Sequence, residues 1–320
     1  MFKLIFLKIT IIILFYPLLS FAQQWPNKPI HLIVPFAPGG VNDLVARIIA
    51  DPFSKAMKQP IVVENKAGAG GMVGLQYVSK SPADGHTIGM VASFISSAPA
   101  LNSQLNFDPN KDITPISLFG YNNLLLVINS SVKVNTFQEL LTLAKSKPGS
   151  IHYASTGIGT SQHYAGELIK LETGADLIHI PYKGGSPAIA DLVSGQVEMM
   201  FSSSAIRPHL ESGKTKALAV SYIKRSPLFP DLPTIAESGI PGFSVSEWYG
   251  IVGPPNLSKE IVKRFNDEIA LLFQNQEIIT KLTQPGVEVQ TTSSKEFTEY
   301  IKSEYIRFKD IVSRANIKPE

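Results

Sequence analysis

The chain has 320 residues, of which 44% are hydrophobic and 17% charged, and its formal net charge is +3. This composition is typical of about two globular domains and argues against a disordered chain. Cysteine is absent and no basic block alternates with aromatic residues, so we expect no disulfide, thiol chemistry, cysteine-based zinc site or nucleic-acid partner.

Residues 1–22 are predicted to be a secretory signal peptide. Lys3 and Lys8 form a positive start, and residues 9–19 are almost wholly apolar. That apolar run is shorter than the roughly 20 residues needed to span a bilayer, which favours cleavage over a membrane anchor. Small residues at the end of the segment place the expected cut after Ala22, and the mature chain is expected in the periplasm.

Short apolar runs then alternate with longer amphipathic segments, a pattern that predicts βαβ units and an α/β fold. A first set has strands at 30–34, 61–64, 88–92, 113–119 and 124–128, with helices at 41–57 and 72–79. A second set has helices at 136–147, 161–172 and 187–193, with strands at 151–154, 177–181, 197–201 and 215–220. A loop at 227–243, a strand at 245–252 and helices at 259–273 and 295–315 complete the chain.

The second set looks complete without the last two helices, so we expect these to return to the first set. This predicts two lobes: a discontinuous lobe 1, 23–124 plus 247–320, and a lobe 2, 125–246. Two chain crossings, near 123–130 and 247–254, would then form a hinge beside a ligand cleft.

A glycine-rich junction follows the first strand of the first set. The backbone turns through Gly39 and Gly40 into a helix that Asn42 or Asp43 can cap. The first turn of such a helix has free N–H groups and the positive end of the dipole, which suit an anion. Taken alone, the junction is equally well explained as an ordinary turn without a ligand.

A second junction of the same kind connects the strand at 151–154 to the helix at 161–172. Glycines provide the turn, and hydroxyl and amide groups provide neutral donors: Ser155, Thr156, Gly157, Thr160, Ser161 and Gln162. Two such junctions, one in each lobe and both at the carboxyl ends of parallel strands, predict the two sides of one binding site.

Three further loops at strand ends supply weaker candidates. Tyr182 can stack on or hydrogen-bond a ligand, and Lys183, before Gly184, can pair with a carboxylate, although an exposed lysine is usually only solvated. Ser203 and Ser93 end two other strands in the same way.

No catalytic or metal-binding pattern stands out. The six histidines show no i,i+3 or i,i+4 pair, and the neighbours Ser161 and His163 lack an evident third partner. The run from Gly68 to Gly74 lacks the acidic residue of a dinucleotide site, so we expect no cofactor. Glu247 is interpreted as a hinge-surface residue. The protein is expected not to be an enzyme.

An ordered set of motifs resembles the tripartite tricarboxylate transporter receptors, the Bug-type periplasmic binding proteins. These motifs include Val34-Pro-Phe-Ala-Pro-Gly-Gly, Val63-Glu-Asn-Lys-Ala-Gly-Ala-Gly-Gly, Ser155-Thr-Gly-Ile-Gly-Thr-Ser-Gln-His and Trp248-Tyr-Gly. The resemblance covers nearly all of the mature chain and implies a type II periplasmic-binding fold. It also implies that backbone groups and bridging waters, rather than an arginine, hold a ligand carboxylate at Phe36, Ala37, Pro38, Gly39, Gly40, Ser155, Thr156, Gly157 and Thr160. The chain departs from the family at Val41-Asn42, where small residues and a threonine or serine are usual.

The resemblance implies a monomeric periplasmic receptor for a small carboxylate, whether a di- or tricarboxylate, an amino acid or an aromatic acid. Its partner would be the membrane permease of a tripartite transporter. Two alternatives remain open at this point: an exported serine hydrolase using Ser161 or Ser155, and a ligand-binding component of a signalling system.

Overall fold

The computed structural model describes residues 25–318, apart from positions 103, 106 and 183. The predicted signal peptide, its expected cleavage after Ala22, and Lys183 all lie outside the described residues. The strands are β1 (Ile30–Val34), β2 (Ile61–Asn65), β3 (Thr87–Ala92), β4 (Thr114–Asn123), β5 (Leu125–Asn129), β6 (Ile151–Ser155), β7 (Leu177–Pro181), β8 (Met199–Ser202), β9 (Thr215–Val220), β10 (Ser246–Gly253) and β11 (Val287–Val289). The helices are α1 (Val41–Met57), α2 (Met72–Ser79), α3 (Phe94–Leu101), α4 (Phe137–Ser146), α5 (Ser161–Thr173), α6 (Gly185–Ser194), α7 (Arg207–Glu211), α8 (Lys259–Leu272), α9 (Gln276–Thr283) and α10 (Ser294–Arg314).

The first sheet has six strands in the order β11-β4-β10-β3-β1-β2. β1 pairs in parallel with both β2 and β3 and is almost fully buried, as expected for an apolar strand covered on both faces. β10 runs antiparallel to both β3 and β4. The start of β10 therefore lies at the same edge of the sheet as the ends of β1 and β3.

Helix α1 covers this sheet with one apolar face, formed by Val45, Ile49, Phe53 and Met57 at helical spacing. Phe53 is fully buried and its ring lies 5.9 Å from that of Phe265 in α8. Full burial of one such side chain contributes about 1.5–3 kcal/mol. The N-terminus of α1 is therefore held firmly at the edge where β1 ends.

The second sheet has five strands in the order β7-β6-β8-β5-β9. β6 pairs in parallel with β7 and β8, whereas β5 is antiparallel to β8 and β9. Tyr153 in β6, Phe201 in β8 and Phe137 in α4 are fully buried in its core. The ends of β6, β7 and β8 lie together at one edge of this sheet.

The two sheets are joined by two chain crossings that lie side by side. Leu124 alone separates β4 from β5, and its carbonyl accepts a 2.8 Å hydrogen bond from the Ser221 N–H. The Val245 N–H in turn donates to the Ser221 carbonyl at 2.9 Å. The second crossing was predicted near 247–254, and the chain enters the first sheet directly after Val245, at the start of β10. Lobe 1 denotes the first sheet with the helices that pack on it, and lobe 2 the second sheet with its helices.

The last helix, α10, contacts both lobes. It begins with a capping box formed by Ser293 and Glu296, and it buries Phe297 and Ile301 in lobe 1. Further along, the ring of Phe308 lies 4.5 Å from that of Tyr164 in lobe 2. α10 thus contacts both lobes.

The α/β two-lobed fold predicted from the sequence is confirmed, and the predicted helices and strands are all present with small shifts at their ends. Four elements were not predicted: α3, α7, α9 and β11. Within the described part of the chain, no helix combines the length and the apolar character needed to cross a bilayer.

Candidate functional site

A cavity of about 680 Å³ lies between the two lobes, next to the two chain crossings. Nine of the residues predicted from the sequence line it: Phe36, Asn42 and Ser93 from lobe 1, and Thr156, Thr160, Ser161, Gln162, Gly184 and Ser203 from lobe 2. A larger open groove of about 770 Å³, on lobe 2 beside α4, contains none of them. The structure therefore brings both glycine-rich junctions to one enclosed space.

The first junction is held in shape by the buried carboxylate of Asp43. This side chain accepts hydrogen bonds at 2.9 Å from the Gly39 N–H, from Arg47 Nε and from Asn65 Nδ2. Its bond to Arg47 lowers the pKa of Asp43 to about 2, although burial alone would raise it. Gly39 needs its left-handed φ of 86° for this turn. Asp43 shapes the loop and does not line the cavity.

Gly40 is the N-cap residue of α1 and provides no capping side chain. The first-turn N–H groups of a helix have no acceptor within the helix, so these groups remain for a ligand or water. Val41 and Asn42, in that first turn, line the cavity. The N-terminus of α1 is thus presented to the space between the lobes.

The second junction folds around hydroxyl groups. Ser155 Oγ accepts from the Gly157 N–H at 3.1 Å, and Thr160 Oγ1 donates to the Gly157 carbonyl at 2.7 Å. Thr160 also caps α5 by accepting from the His163 N–H. Thr156 donates to the Gln162 side-chain oxygen at 2.9 Å. These bonds leave the start of α5 facing the cavity with a fixed loop before it.

Two stacked histidines pack against the second junction and hydrogen-bond to it. The rings of His163 and His179 lie 4.0 Å apart, nearly parallel. His163 Nδ1 accepts from the Gly159 N–H at 3.1 Å, and His179 Nε2 lies 2.7 Å from Ser155 Oγ. Burial lowers the pKa of each histidine to about 4, so both rings are neutral near pH 7.

Among the described residues, the contact between Ser155 and His179 is an arrangement that a serine hydrolase could use. Ser155 is fully buried, however, and its hydroxyl also bonds to the Gly157 backbone. A histidine with a pKa of about 4 is also a weak general base near pH 7. These features favour a role for the pair in shaping the loop.

Glu247, interpreted from the sequence as a surface residue, instead lines the cavity and is partly buried. Ser161 Oγ of lobe 2 donates to Glu247 Oε2 at 2.8 Å, and Ser93 in lobe 1 also helps to stabilise the charged form of this carboxyl. The two serine oxygens are 3.0 Å apart. Burial raises the pKa of Glu247 above its usual range. The antiparallel pairing of β10 with β3 is what puts Glu247 there.

The remaining predicted residues lie around the cavity without lining it. Ala37, Pro38, Gly39 and Gly40 are exposed on the loop before α1, while Asp43, Ser155 and Gly157 lie within the two junctions. The Tyr182 hydroxyl donates to Asp191 at 2.7 Å, and burial and this carboxylate raise the pKa of Tyr182 to about 12. Whether any of them contacts a ligand stays a prediction.

The cavity combines polar ends with an apolar wall. Phe36 and Phe94 meet edge to face with 5.3 Å between ring centres, and Leu101 extends the same wall. No lysine or arginine occurs among its described lining residues. Across the described chain, no group of three or more acidic or histidine side chains is arranged to hold a metal.

Comparison with known proteins gives a consistent picture. Residues 45–317 match the description "Tripartite tricarboxylate transporter family receptor". Protein BugT of Bordetella pertussis is 34% identical over 303 residues, which are 93% of this chain and 92% of BugT. The solved structure of periplasmic binding protein BugD is 31% identical with a TM-score of 0.77, covering 92% of this chain and 100% of BugD. R. palustris Rpa4515 with adipate is 32% identical with a TM-score of 0.80, at 92% and 100% coverage.

Proposed function

This chain belongs to the tripartite tricarboxylate transporter receptor family, and from that premise we propose that it is a periplasmic receptor for a small carboxylate. Di- and tricarboxylates, amino acids and aromatic acids are the candidate ligands. The loaded receptor would deliver its ligand to the permease subunits of a tripartite membrane transporter. Residues 1–22 would direct export and be removed after Ala22, and the mature chain would act as a monomer.

The observation that carries this proposal is the meeting of two helix N-termini at one cavity. α1 begins after Gly40 in lobe 1, and α5 begins after Thr160 in lobe 2. Each presents first-turn N–H groups and the positive end of its dipole to the space between the lobes. A carboxylate can therefore bond to both lobes at once, and this favours closure around it.

The donors described at the site are neutral, which suits a receptor that must also release its ligand. Backbone N–H groups and hydroxyls cost less to leave empty than a buried guanidinium, whose charge would have no partner without ligand. Phe36, Phe94 and Leu101 can cover the ligand's carbon chain. The relative solved with adipate supports a ligand of this class.

Calorimetric titration of the mature protein against candidate carboxylates tests the proposal. We expect at least one tight ligand, and small-angle scattering should show a smaller radius of gyration when it binds. Gly40→Val, which crowds the start of α1, should weaken the binding of that ligand. Gly174→Ala, at the far end of α5, serves as the control for a glycine change away from the cavity. A full panel without binding and without compaction would refute the receptor assignment.

The Ser155–His179 contact makes ester hydrolysis the second activity to measure. We expect no turnover of short-chain esters above background. Turnover that disappears in Ser155→Ala while the fold is retained would favour the hydrolase.

A further inference from the structure

We propose that Glu247 selects among carboxylates at this cavity. It would favour a ligand whose second polar group is a hydrogen-bond donor, such as an ammonium or a hydroxyl, over one that ends in a second carboxylate. This inference rests on the proposed receptor function and narrows its ligand class.

Strand geometry directs Glu247 into the cavity. Successive side chains of a strand point to opposite faces, so Glu247 and Tyr249 share one face of β10. Both line the cavity, whereas Trp248 between them is fully buried against Phe297 and Tyr300 of α10. A strand in the middle of the first sheet is a rigid support, so Glu247 has a fixed position beside any bound ligand.

The serine contacts hold the Glu247 carboxyl in place but do not occupy all of its hydrogen-bond acceptor sites. Ser161 Oγ donates to Oε2 at 2.8 Å. The two serine hydroxyls lie 3.0 Å apart, and because the Ser161 proton is used on Glu247, the Ser93 hydroxyl is the donor to Ser161 Oγ. A carboxylate can accept about four hydrogen bonds. Glu247 therefore keeps acceptor capacity towards the cavity that it lines.

No positively charged side chain among the described lining residues offsets Glu247. The described lining residues include no lysine or arginine, and Glu247 is the only acidic residue among them. A second ligand carboxylate beside Glu247 would place two like charges in a partly dehydrated space, which is unfavourable. An ammonium or hydroxyl would instead donate a charge-assisted hydrogen bond.

Asn42 provides a second acceptor on the lobe 1 side. Its side-chain oxygen is buried and has no hydrogen-bond partner among the described residues. Asn42 also lines the cavity. A buried acceptor left without a donor is unfavourable, and a ligand that brings a donor would satisfy it. Two acceptors at one cavity point to the same ligand chemistry.

Two other acidic side chains lie near the hinge but do not line this cavity, so they provide a comparison with Glu247. Glu304 is paired with Arg307 at 2.8 Å within α10. Glu288 of β11 bonds to Ser226 and lines a separate cavity of about 460 Å³ with Tyr121 and Tyr222. Burial raises the pKa of Glu288 as it does that of Glu247. Glu288→Gln is thus a matched control for Glu247→Gln.

The test compares ligands that differ only at one end. Calorimetric titration at neutral pH would use two series: adipate, 6-aminohexanoate and 6-hydroxyhexanoate, and succinate, 4-aminobutanoate and 4-hydroxybutanoate. In at least one series, the wild type should bind the amino or hydroxy member roughly tenfold or more tighter than the dicarboxylate. Glu247→Gln should reduce that ratio to within about threefold, and Glu288→Gln should leave it unchanged.

A wild type that prefers the dicarboxylate would overturn the inference, even if the Glu247→Gln variant did not fold. So would an unchanged ratio in a folded Glu247→Gln protein. Either result, with binding present, leaves the receptor function intact. If neither these series nor the wider carboxylate panel contains a ligand for the wild type, the receptor function itself fails, and the inference fails with it.

Discussion

Ser93 and Ser161 belong to different lobes, yet their hydroxyl oxygens lie 3.0 Å apart, and Ser161 donates to Glu247 of β10. Ser93 directly follows β3 and Ser161 begins α5, so this contact can exist only while the lobes are close together. The described conformation therefore includes a direct polar link across the cleft.

Removing one side of this link should favour the open state. Ser161→Ala deletes the donor to Glu247 and the contact with Ser93, a loss of about 1.5–3 kcal/mol for a bond to a charged group. Ligand affinity should therefore fall about 10- to 150-fold, as measured by calorimetry. Scattering should show a larger radius of gyration at the same ligand concentration.

The control for this change is Ser130→Ala, because Ser130 donates to the Gly213 carbonyl on lobe 2 away from the cleft. It should leave affinity and compaction unchanged. Equal losses in both variants would contradict a special role for the Ser93–Ser161 contact.

A side chain at Gly159 should oppose closure, because Gly159 approaches Leu101 of the opposite lobe and has a left-handed φ. A Cβ there would lie 2.8 Å from Leu101 Cδ2, and the φ of Gly159 is 78°. Gly159→Ala should impair closure and weaken ligand binding at least about tenfold, since overpacking and strain typically cost 1–3 kcal/mol. Leu101→Ala in the same chain should recover part of the loss.

Gly174→Ala is the control that separates the effect of backbone strain from that of the Gly159 contact with Leu101. Gly174 has a φ of 67° but nothing within 4 Å of its added Cβ. It should lower the melting temperature and leave affinity unchanged. An affinity loss there equal to that of Gly159→Ala would contradict the steric explanation.

Asp43 should be important for both stability and ligand affinity, although it does not line the cavity. Asp43→Ala removes three hydrogen bonds that shape the first junction, including the one from Gly39. The free energy of unfolding should fall by about 2–3 kcal/mol in urea titrations, and affinity should fall with it. Asp51→Ala is the control on the same helix, because its ion pair with Lys55 is exposed and should contribute little.

The stacked histidines predict a loss of stability in mild acid. Each takes up a proton near pH 4 in the folded protein, but near 6.5 in an unfolded chain. The unfolded state therefore binds more protons between these values, and stability should fall as the pH drops from about 6.5 to 4. The loss is on the order of 3 kcal/mol for each histidine at most.

Urea titrations at several pH values check this. The slope of the unfolding free energy against pH below 6.5 should be reduced in His163→Asn and in His179→Asn. A wild-type slope that is flat between pH 6.5 and 4.5 would contradict the expected role of the pair.

The sequence predicted the elements that depend on local periodicity. β1, α1 and α2 were placed at their observed bounds because their apolar residues follow a clear strand or helix spacing. Helix α3 was missed because Pro99 and two serines interrupt its eight residues. The three-residue strand β11 is too short to show a period.

The candidate site was predictable where it follows strand ends, and not where it depends on pairing. The two junctions are visible in the sequence as glycines after apolar runs. Glu247 was not, since only the antiparallel pairing of Tyr249 with Ala92 brings it beside Ser93. Likewise, nothing local places His163 against His179, which come together only because β6 and β7 are neighbours.

The position of β10 has a consequence for the order in which the two lobes fold. A chain grows from its N-terminus, and β10 lies between β3 and β4, although about 120 residues of lobe 2 separate it from β4 in sequence. Lobe 2 can therefore complete its own sheet while lobe 1 still has a gap at its centre, with two unpaired strand edges. The cleft, with Glu247 at its base, forms only when the late strand fills that gap.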